Sequence, residues 1–325
     1  MRVLVETPSR LHLGIMDLSG DLGRIYGSIG VAIDKPNVVL EATPSDRITT
    51  SGEEAEKTRL LAEKFFKHYK PGGGAHISVR QTIPEHVGLG SGTQLSLAVA
   101  ASLAKLFELS VPTTDLASAM GRGPVSGVGT AAFEHGGFLI DGGHKLGRLG
   151  LKPSVRGIPP LVFQSPFPEA WRFVVAIPNI RRGLSGEEEE QVFRALPRAP
   201  PESVGRISRL VLMGLLPALV EGDIGGFGKA LTQIQFLVGE NFRKAQGGRF
   251  SSPVVGECVK LMLEEGAYGA GQSSWGPTVY GLVEGEGMAK RLKAAVEEFM
   301  GERVGGKVFS AAPNNRGARI EVAED

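Results

Sequence analysis

Short bursts of β-prone residues open the chain, over 3–5, 10–13 and 37–42, separated by Gly, Pro, Ser and Asp turns. This pattern predicts strands. Residues 53–69 change period: Leu61, Phe65 and Tyr69 recur at helical spacing beside Lys64, Lys67 and His68, and Pro71-Gly72-Gly73-Gly74 ends the stretch. That is an amphipathic surface helix, with His68 solvated. A strand over 76–81 leads into Gly88-Leu89-Gly90-Ser91-Gly92-Thr93-Gln94, after which Leu95, Val99, Leu103 and Leu106 form one helical stripe. The order there is strand, glycine loop, helix. A short apolar strand is expected between the glycine pairs of 136–143, and proline-rich sequence over 152–168 marks a boundary between domains 1–168 and 169–325. The second half alternates differently, with a strand over 171–177, helices over 207–220, 227–242 and 253–265, a strand over 278–283, a helix over 288–300 and closing strands over 307–310 and 318–322. Helices grouped between strands indicate an α+β fold.

Composition narrows the function. The 325 residues carry 36 basic and 35 acidic side chains, a formal charge of +1, so no bulk field draws the chain to nucleic acid or an anionic membrane. The single cysteine, Cys258, excludes a disulfide framework and falls on one face with Val254, Val255, Leu261 and Met262, as a core residue would. The chain opens without a signal-peptide pattern and shows no run of about 18 apolar residues, so a cytoplasmic location is expected. Glycine, at 46 positions, is clustered, as where backbone turns tightly or approaches a ligand.

The loop over 88–94 is the strongest chemical signal. Its glycines free the backbone to approach an anion, and the helix behind it points unpaired N–H groups at the same place. A phosphate or pyrophosphate suits it, although it is neither a P-loop nor a dinucleotide fingerprint. Upstream, strand alternation puts Arg10 and His12 on one face and Leu11 and Leu13 on the other, with Asp17, Arg24 and Ser28 expected in the loop that follows. Residues 178–187, with Arg181 and Arg182, form a basic turn opening a helix whose glutamates 187–190 favour its first turn. A second glycine cluster covers 269–276 and contains Gln272, Ser273, Ser274 and Trp275.

Taken together, residues 8–33, 84–94 and 269–282 resemble the three motifs of the GHMP kinase superfamily in order and spacing. The resemblance spans nearly the whole chain and implies a ribosomal-protein-S5-like N-terminal domain and a ferredoxin-like C-terminal domain. It also implies kinase chemistry, but the departures fall on working residues. Gly92 stands where the kinases carry a serine that helps bind the metal of Mg·ATP, and Gly129 stands where several members carry a catalytic aspartate. Glycine can neither accept a hydroxyl proton nor hold a cation. Glu134 and Asp141 are possible substitutes.

Residues 9–14, 88–94, 121–130 and 271–277 are similar to one non-kinase branch, the β-ribofuranosylaminobenzene 5'-phosphate synthases. That resemblance implies transfer from phosphoribosyl pyrophosphate to 4-aminobenzoate, with release of carbon dioxide and pyrophosphate, on the way to tetrahydromethanopterin in archaea or methylotrophic bacteria. A related hydroxybenzoate stays open as acceptor. Under it the catalytic candidates are His12, Arg10 and Asp17. Gly88, Gly90, Ser91, Gly92, Thr93 and Gln94 would hold pyrophosphate, with Mg²⁺ sharing the charge. Arg24 and Arg182 would take a phosphate or carboxylate, Gln272, Ser273 and Ser274 would meet the ribose, and Trp275 would stack on the ring. The metal ligands are not identified. An ATP-dependent small-molecule kinase and a dead ligand-binding protein are the alternatives, and a homodimer is expected on base rates.

Overall fold

The computed structural model describes residues 1–147, 157–184 and 186–323. Positions 152–156 of the expected interdomain segment, and Ser185, lie outside the described residues. A first sheet has the order β14-β1-β4-β6-β5, formed by β1 (Arg2–Glu6), β4 (Val39–Ser45), β5 (Thr49–Gly52), β6 (Gly74–Gln81) and β14 (Arg319–Ala323). Helices α1 (Ala55–Tyr69) and α2 (Ser91–Leu106) pack with it. A second sheet joins β2 (Ser9–Asp17), β3 (Arg24–Ile33), β7 (Phe138–Asp141) and β9 (Leu161–Ser165), and β8 (His144–Lys145) also pairs with β3. Against it lies α4 (Val128–Glu134), preceded by α3 (Thr113–Ala119).

The third sheet is antiparallel, in the order β11-β12-β10-β13, from β10 (Trp171–Pro178), β11 (Gly269–Gln272), β12 (Val279–Glu284) and β13 (Gly306–Ala311). Strand alternation serves two cores at once. Phe173, Val175, Tyr280 and Leu282 join the large core that also holds Val3, Leu11 and Leu97 of the first half. Val174, Ala176, Val279 and Val283 face the other way, onto α9 (Pro253–Glu264) and α10 (Gly285–Arg303), where Cys258 is buried as expected. The halves therefore share one core.

Three features differ from the sequence pattern. The closing strand over 318–322, expected in the second domain, returns to the first: β14 pairs antiparallel with β1, from Arg2–Ala323 to Glu6–Arg319, and completes hydrogen bonding along an edge that β4 leaves open. Helix α2 is buried all round and not on one stripe. Every residue from Gln94 to Leu106 except Lys105 is inside, because small and apolar side chains occupy all its faces. Residues 269–272 are a strand and not a ligand loop. There the glycines admit α8 (Ile224–Gln246): a Cβ on Gly269 or Gly271 would collide with Gly228 or Gln235 of that helix, and one on Gly228 with the Tyr268 carbonyl.

Before α8 run α5 (Gly186–Ala195), α6 (Pro201–Leu210), a π-helical turn at Val211–Leu215 and α7 (Leu216–Glu221). The stretch Pro201–Glu221, with mean hydropathy 1.5, is long and apolar enough to cross a bilayer, a feature the search for an uninterrupted apolar run passes over. In the fold it lays Val204, Ile207, Val211 and Leu215 inward and leaves Leu212, Met213 and Val220 exposed.

The close crossing of α8 over β11 generates a prediction. Gly228→Ala forces backbone apart at Tyr268 and should destabilise the chain by about 1–3 kcal/mol or more, read as a lower urea midpoint, whereas the same change at the exposed, uncrowded helix position Gly205 should raise the midpoint slightly, by the helix preference of alanine over glycine.

Candidate active site

The alternation of β2 buries Leu11 and Leu13 in the large core and turns Arg10 and His12 the other way, into a cavity of about 220 Å³ between the two halves. A bulge between His12 and Gly14 interrupts the pairing with β3 at that point. Arg10 donates from Nη1 to the Gly88 carbonyl at 2.6 Å. Burial lowers its pKa to about 10 against the opposing pull of Glu189, so it stays a cation at neutral pH. His12 is pushed down to about 3, first by burial and then by the charge of Arg10, and is neutral near pH 7.

Glu189, on α5, is the acidic side chain lining this cavity among the described residues. It accepts a hydrogen bond from Trp275 Nε1 at 3.0 Å, and its charge acts on both Arg10 and Arg122. Trp275 is itself nearly buried, edge-on to Phe193 and Phe242 with ring centroids 5.5 and 5.0 Å away. These rings make one apolar wall. Arg122 also lines the cavity, between Gly121 and Gly123, both with positive φ, just past α3. Burial lowers its pKa, Glu189 opposes that, and its Nε is buried without an acceptor. At the far end Arg249 is paired with Glu240 and lies over the Phe236 ring.

Of the residues singled out from sequence, Arg10, His12, Thr93, Gln272, Ser274 and Trp275 line the cavity. The others stand elsewhere, each for a visible reason. The Asp17 carboxylate closes a turn, accepting from the Ser19 amide at 2.6 Å and the Gly20 amide at 2.9 Å. Arg24 is spent on the carbonyls of Gly142 and Gly143, at 2.8 and 2.7 Å. Arg182 is exposed outside the cavity, beside Glu85. Gln94 is fully buried and donates to the Gly129 carbonyl. Ser273 is buried too, accepting from the His12 amide at 2.9 Å and donating to the Gly88 carbonyl at 2.7 Å. Gln272 reaches the cavity, but its side chain accepts from the Ser251 amide and donates to the Ser274 carbonyl. Gly88, Gly90, Ser91 and Gly92 lie behind Arg10 and Arg122: a Cβ on Gly90 would be 3.3 Å from Arg10 Cγ, and one on Gly92 3.2 Å from Arg122 Nη1.

Neither acidic substitute for the kinase aspartate reaches the cavity. Glu134 is exposed beside His135, and Asp141 is buried among the amides of Ser28, Gly127 and Gly143 and the Ser126 hydroxyl, with burial raising its pKa. Position 129 is tight for any side chain, since a Cβ there would stand 3.1 Å from the Thr93 methyl, which would have to give way. Sequence reasoning passed over Glu189, Gln235, Gln246 and Arg249, which carry no local signature. Arg122 had one, a basic residue between two glycines.

The family comparisons agree with this architecture. Residues 56–137 match the GHMP kinases N terminal domain and residues 215–302 the GHMP kinases C terminal model. The homoserine kinase structure from Cytophaga hutchinsonii superposes with a TM-score of 0.68 at 16% identity, covering 98% of this chain and 97% of that one, which shows the fold alone. The beta-ribofuranosylphenol 5'-phosphate synthases of Methanothermobacter thermautotrophicus and Archaeoglobus fulgidus are 36% and 37% identical to it over 98% of this chain and 98% and 99% of theirs. The chain belongs to the beta-ribofuranosylphenol 5'-phosphate synthase family. Members are pentosyltransferases on a GHMP kinase fold, so this chain is a transferase, and its loop over 88–94 lies within the stretch that matches the GHMP kinases N terminal domain. In this synthase-family chain the kinase hydroxyl and aspartate are absent together, and Arg122 and Thr93 stand against the space they would need.

The buried neutral imidazole makes stability depend on pH. Below 6.5 the unfolded chain protonates His12 while the folded chain does not until about 3, so stability falls as pH drops through that window, by about 1.4 kcal/mol per pH unit for this proton. His12→Gln removes the uptake, and urea unfolding at pH 7, 6 and 5 should show a shallower loss for the variant.

Proposed function

We propose that this chain transfers the phosphoribosyl group of phosphoribosyl pyrophosphate to the carboxylate-bearing ring carbon of a para-substituted benzoate, releasing pyrophosphate and carbon dioxide. The observation that carries this is that Arg10 and Glu189 line one cavity and act on each other electrostatically: a half-buried cation and, among the described residues, the one carboxylate there. Ionising a ribosyl pyrophosphate creates an anion and a cation side by side. When the C1–O bond breaks, its electron pair leaves with pyrophosphate towards Arg10, and Glu189, held by Trp275, faces the oxocarbenium-like ribose. The ring carbon then forms the new C–C bond, the C–carboxylate bond breaks, and its electrons restore the aromatic ring as carbon dioxide departs. Phe193, Phe242 and Trp275 wall the space for a planar ring, and neutral His12 donates or accepts a hydrogen bond without adding charge.

The curated relatives are named for a ribofuranosylphenol product, which supports 4-hydroxybenzoate over the 4-aminobenzoate expected from sequence. The proposed pathway remains that of tetrahydromethanopterin. A Mg²⁺ held by the protein at the loop does not fit the residues present. Position 92 has no hydroxyl, Arg122 stands against it, and among the described residues no group of three or more His, Cys, Asp or Glu could hold a metal ion. The metal is therefore proposed to arrive as part of the substrate, chelated by pyrophosphate.

The deciding assay mixes the protein with Mg²⁺, phosphoribosyl pyrophosphate and carboxyl-labelled 4-hydroxybenzoate or 4-aminobenzoate, and counts carbon dioxide against pyrophosphate. Equal release of both, larger with the hydroxybenzoate, is expected. ADP formed from ATP and a small alcohol acceptor, with no carbon dioxide, would sink the proposal in favour of a kinase. Within the same assay Glu189→Gln should lower kcat by about 100-fold or more at unchanged thermal stability.

A further inference from the structure

The loop over 88–94 and the cavity meet at one side chain. Arg122 lines the cavity, and its Nη1 lies 3.2 Å from the point a Cβ on Gly92 would occupy. Its Nε is buried with no acceptor among the described residues. A buried N–H on a charged group is costly to leave unmade, so such an orphan marks a place where a ligand completes the bonding. The loop itself presents further donors: Gly90 caps α2 at φ 84°, and the amides of Ser91 and Gly92 have no acceptor among the described residues. A second cation is close by, since Lys64 Nζ lies 2.9 Å from where a Cβ on Gly121 would stand.

We propose that Arg122, set in the room that Gly92 leaves, binds the pyrophosphate of the donor at this loop and replaces the serine-held metal of the kinases. The assignment rests on the phosphoribosyl-transfer reading. A guanidinium suits that task because it is a fixed cation whose planar fork matches two phosphate oxygens, and it keeps its charge as the leaving group gains one. It also accounts for Gly92, where any side chain would crowd the guanidinium and a hydroxyl would invite a metal beside a cation.

The test is titration with inorganic pyrophosphate and, separately, ribose 5-phosphate, which lacks the leaving group. With Mg²⁺ present throughout, wild-type protein should bind pyrophosphate. Arg122→Ala should weaken pyrophosphate by about 10-fold or more and leave ribose 5-phosphate within about twofold, with Arg122→Lys in between because it restores charge without the fork. An unchanged pyrophosphate affinity in Arg122→Ala, or an equal loss of both ligands, would overturn the assignment. Carbon dioxide release with Arg122-independent pyrophosphate binding refutes this inference alone. Arg122-dependent pyrophosphate binding without release refutes the reaction and leaves the anion site standing.

Discussion

The Gly88 carbonyl is the point on which the rest of the site depends. It accepts from Arg10 Nη1 at 2.6 Å and from the Ser273 hydroxyl at 2.7 Å, and Ser273 in turn accepts from the His12 amide. One oxygen thereby ties the first long strand, the phosphate-type loop and the end of β11 into a single junction between the halves. It can do so because Gly88 has a φ of 93° and no Cβ to strike the Ser273 carbonyl. A charged guanidinium would be expensive to bury without such an acceptor, and the bond fixes where that charge faces. Gln235 of α8, which donates to the Leu13 carbonyl and accepts from the Gln272 amide, braces the same junction from the other side.

From that junction the difference from a kinase follows as packing. A kinase needs a hydroxyl and an aspartate near the loop, aimed at a metal and at a substrate alcohol. In this chain Thr93 lies against Gly129 and Arg122 against Gly92, so each lost group faces a neighbour that has closed on its place. What the cavity offers in exchange is fixed charge of both signs, with Arg10 and Arg122 around Glu189. Fixed charge of both signs suits the separation of a pyrophosphate anion from a ribosyl cation, in a site where low dielectric strengthens each interaction.

Much of the fold was legible because period and punctuation are local properties. The alternation of β2, the helix after the glycine loop, the core position of Cys258 and the helices of the second half all follow from residues a few places apart. The site was legible only where a residue type and its strand face coincided, as at Arg10 and His12. Arg24, Arg182 and Arg122 are equivalent on paper, each a basic residue near glycine. Their fates separate through distant partners: the carbonyls of Gly142 and Gly143 take up Arg24, solvent surrounds Arg182, and Arg122 is left with an unmet N–H beside Gly92. Glu189 was hidden in a run of four glutamates that reads as helix-terminus charge, and the Trp275 indole and the charges of Arg10 and Arg122 are what single it out in the fold.

By itself, then, the sequence determined most of the helices and strands, though not that Arg24 and Ser28, expected in a loop, lie in β3 or that 269–272 is β11, together with the faces of the first strands, the family and the loss of two kinase groups, since these are written in spacing and identity. Tertiary structure alone decided that β14 closes the first sheet, that the glycines over 269–271 admit a helix, and which cation and which carboxylate share the cavity. Those outcomes depend on contacts between residues as far apart as Arg2 and Ala323 or Glu189 and Trp275, whose pairing no local pattern encodes.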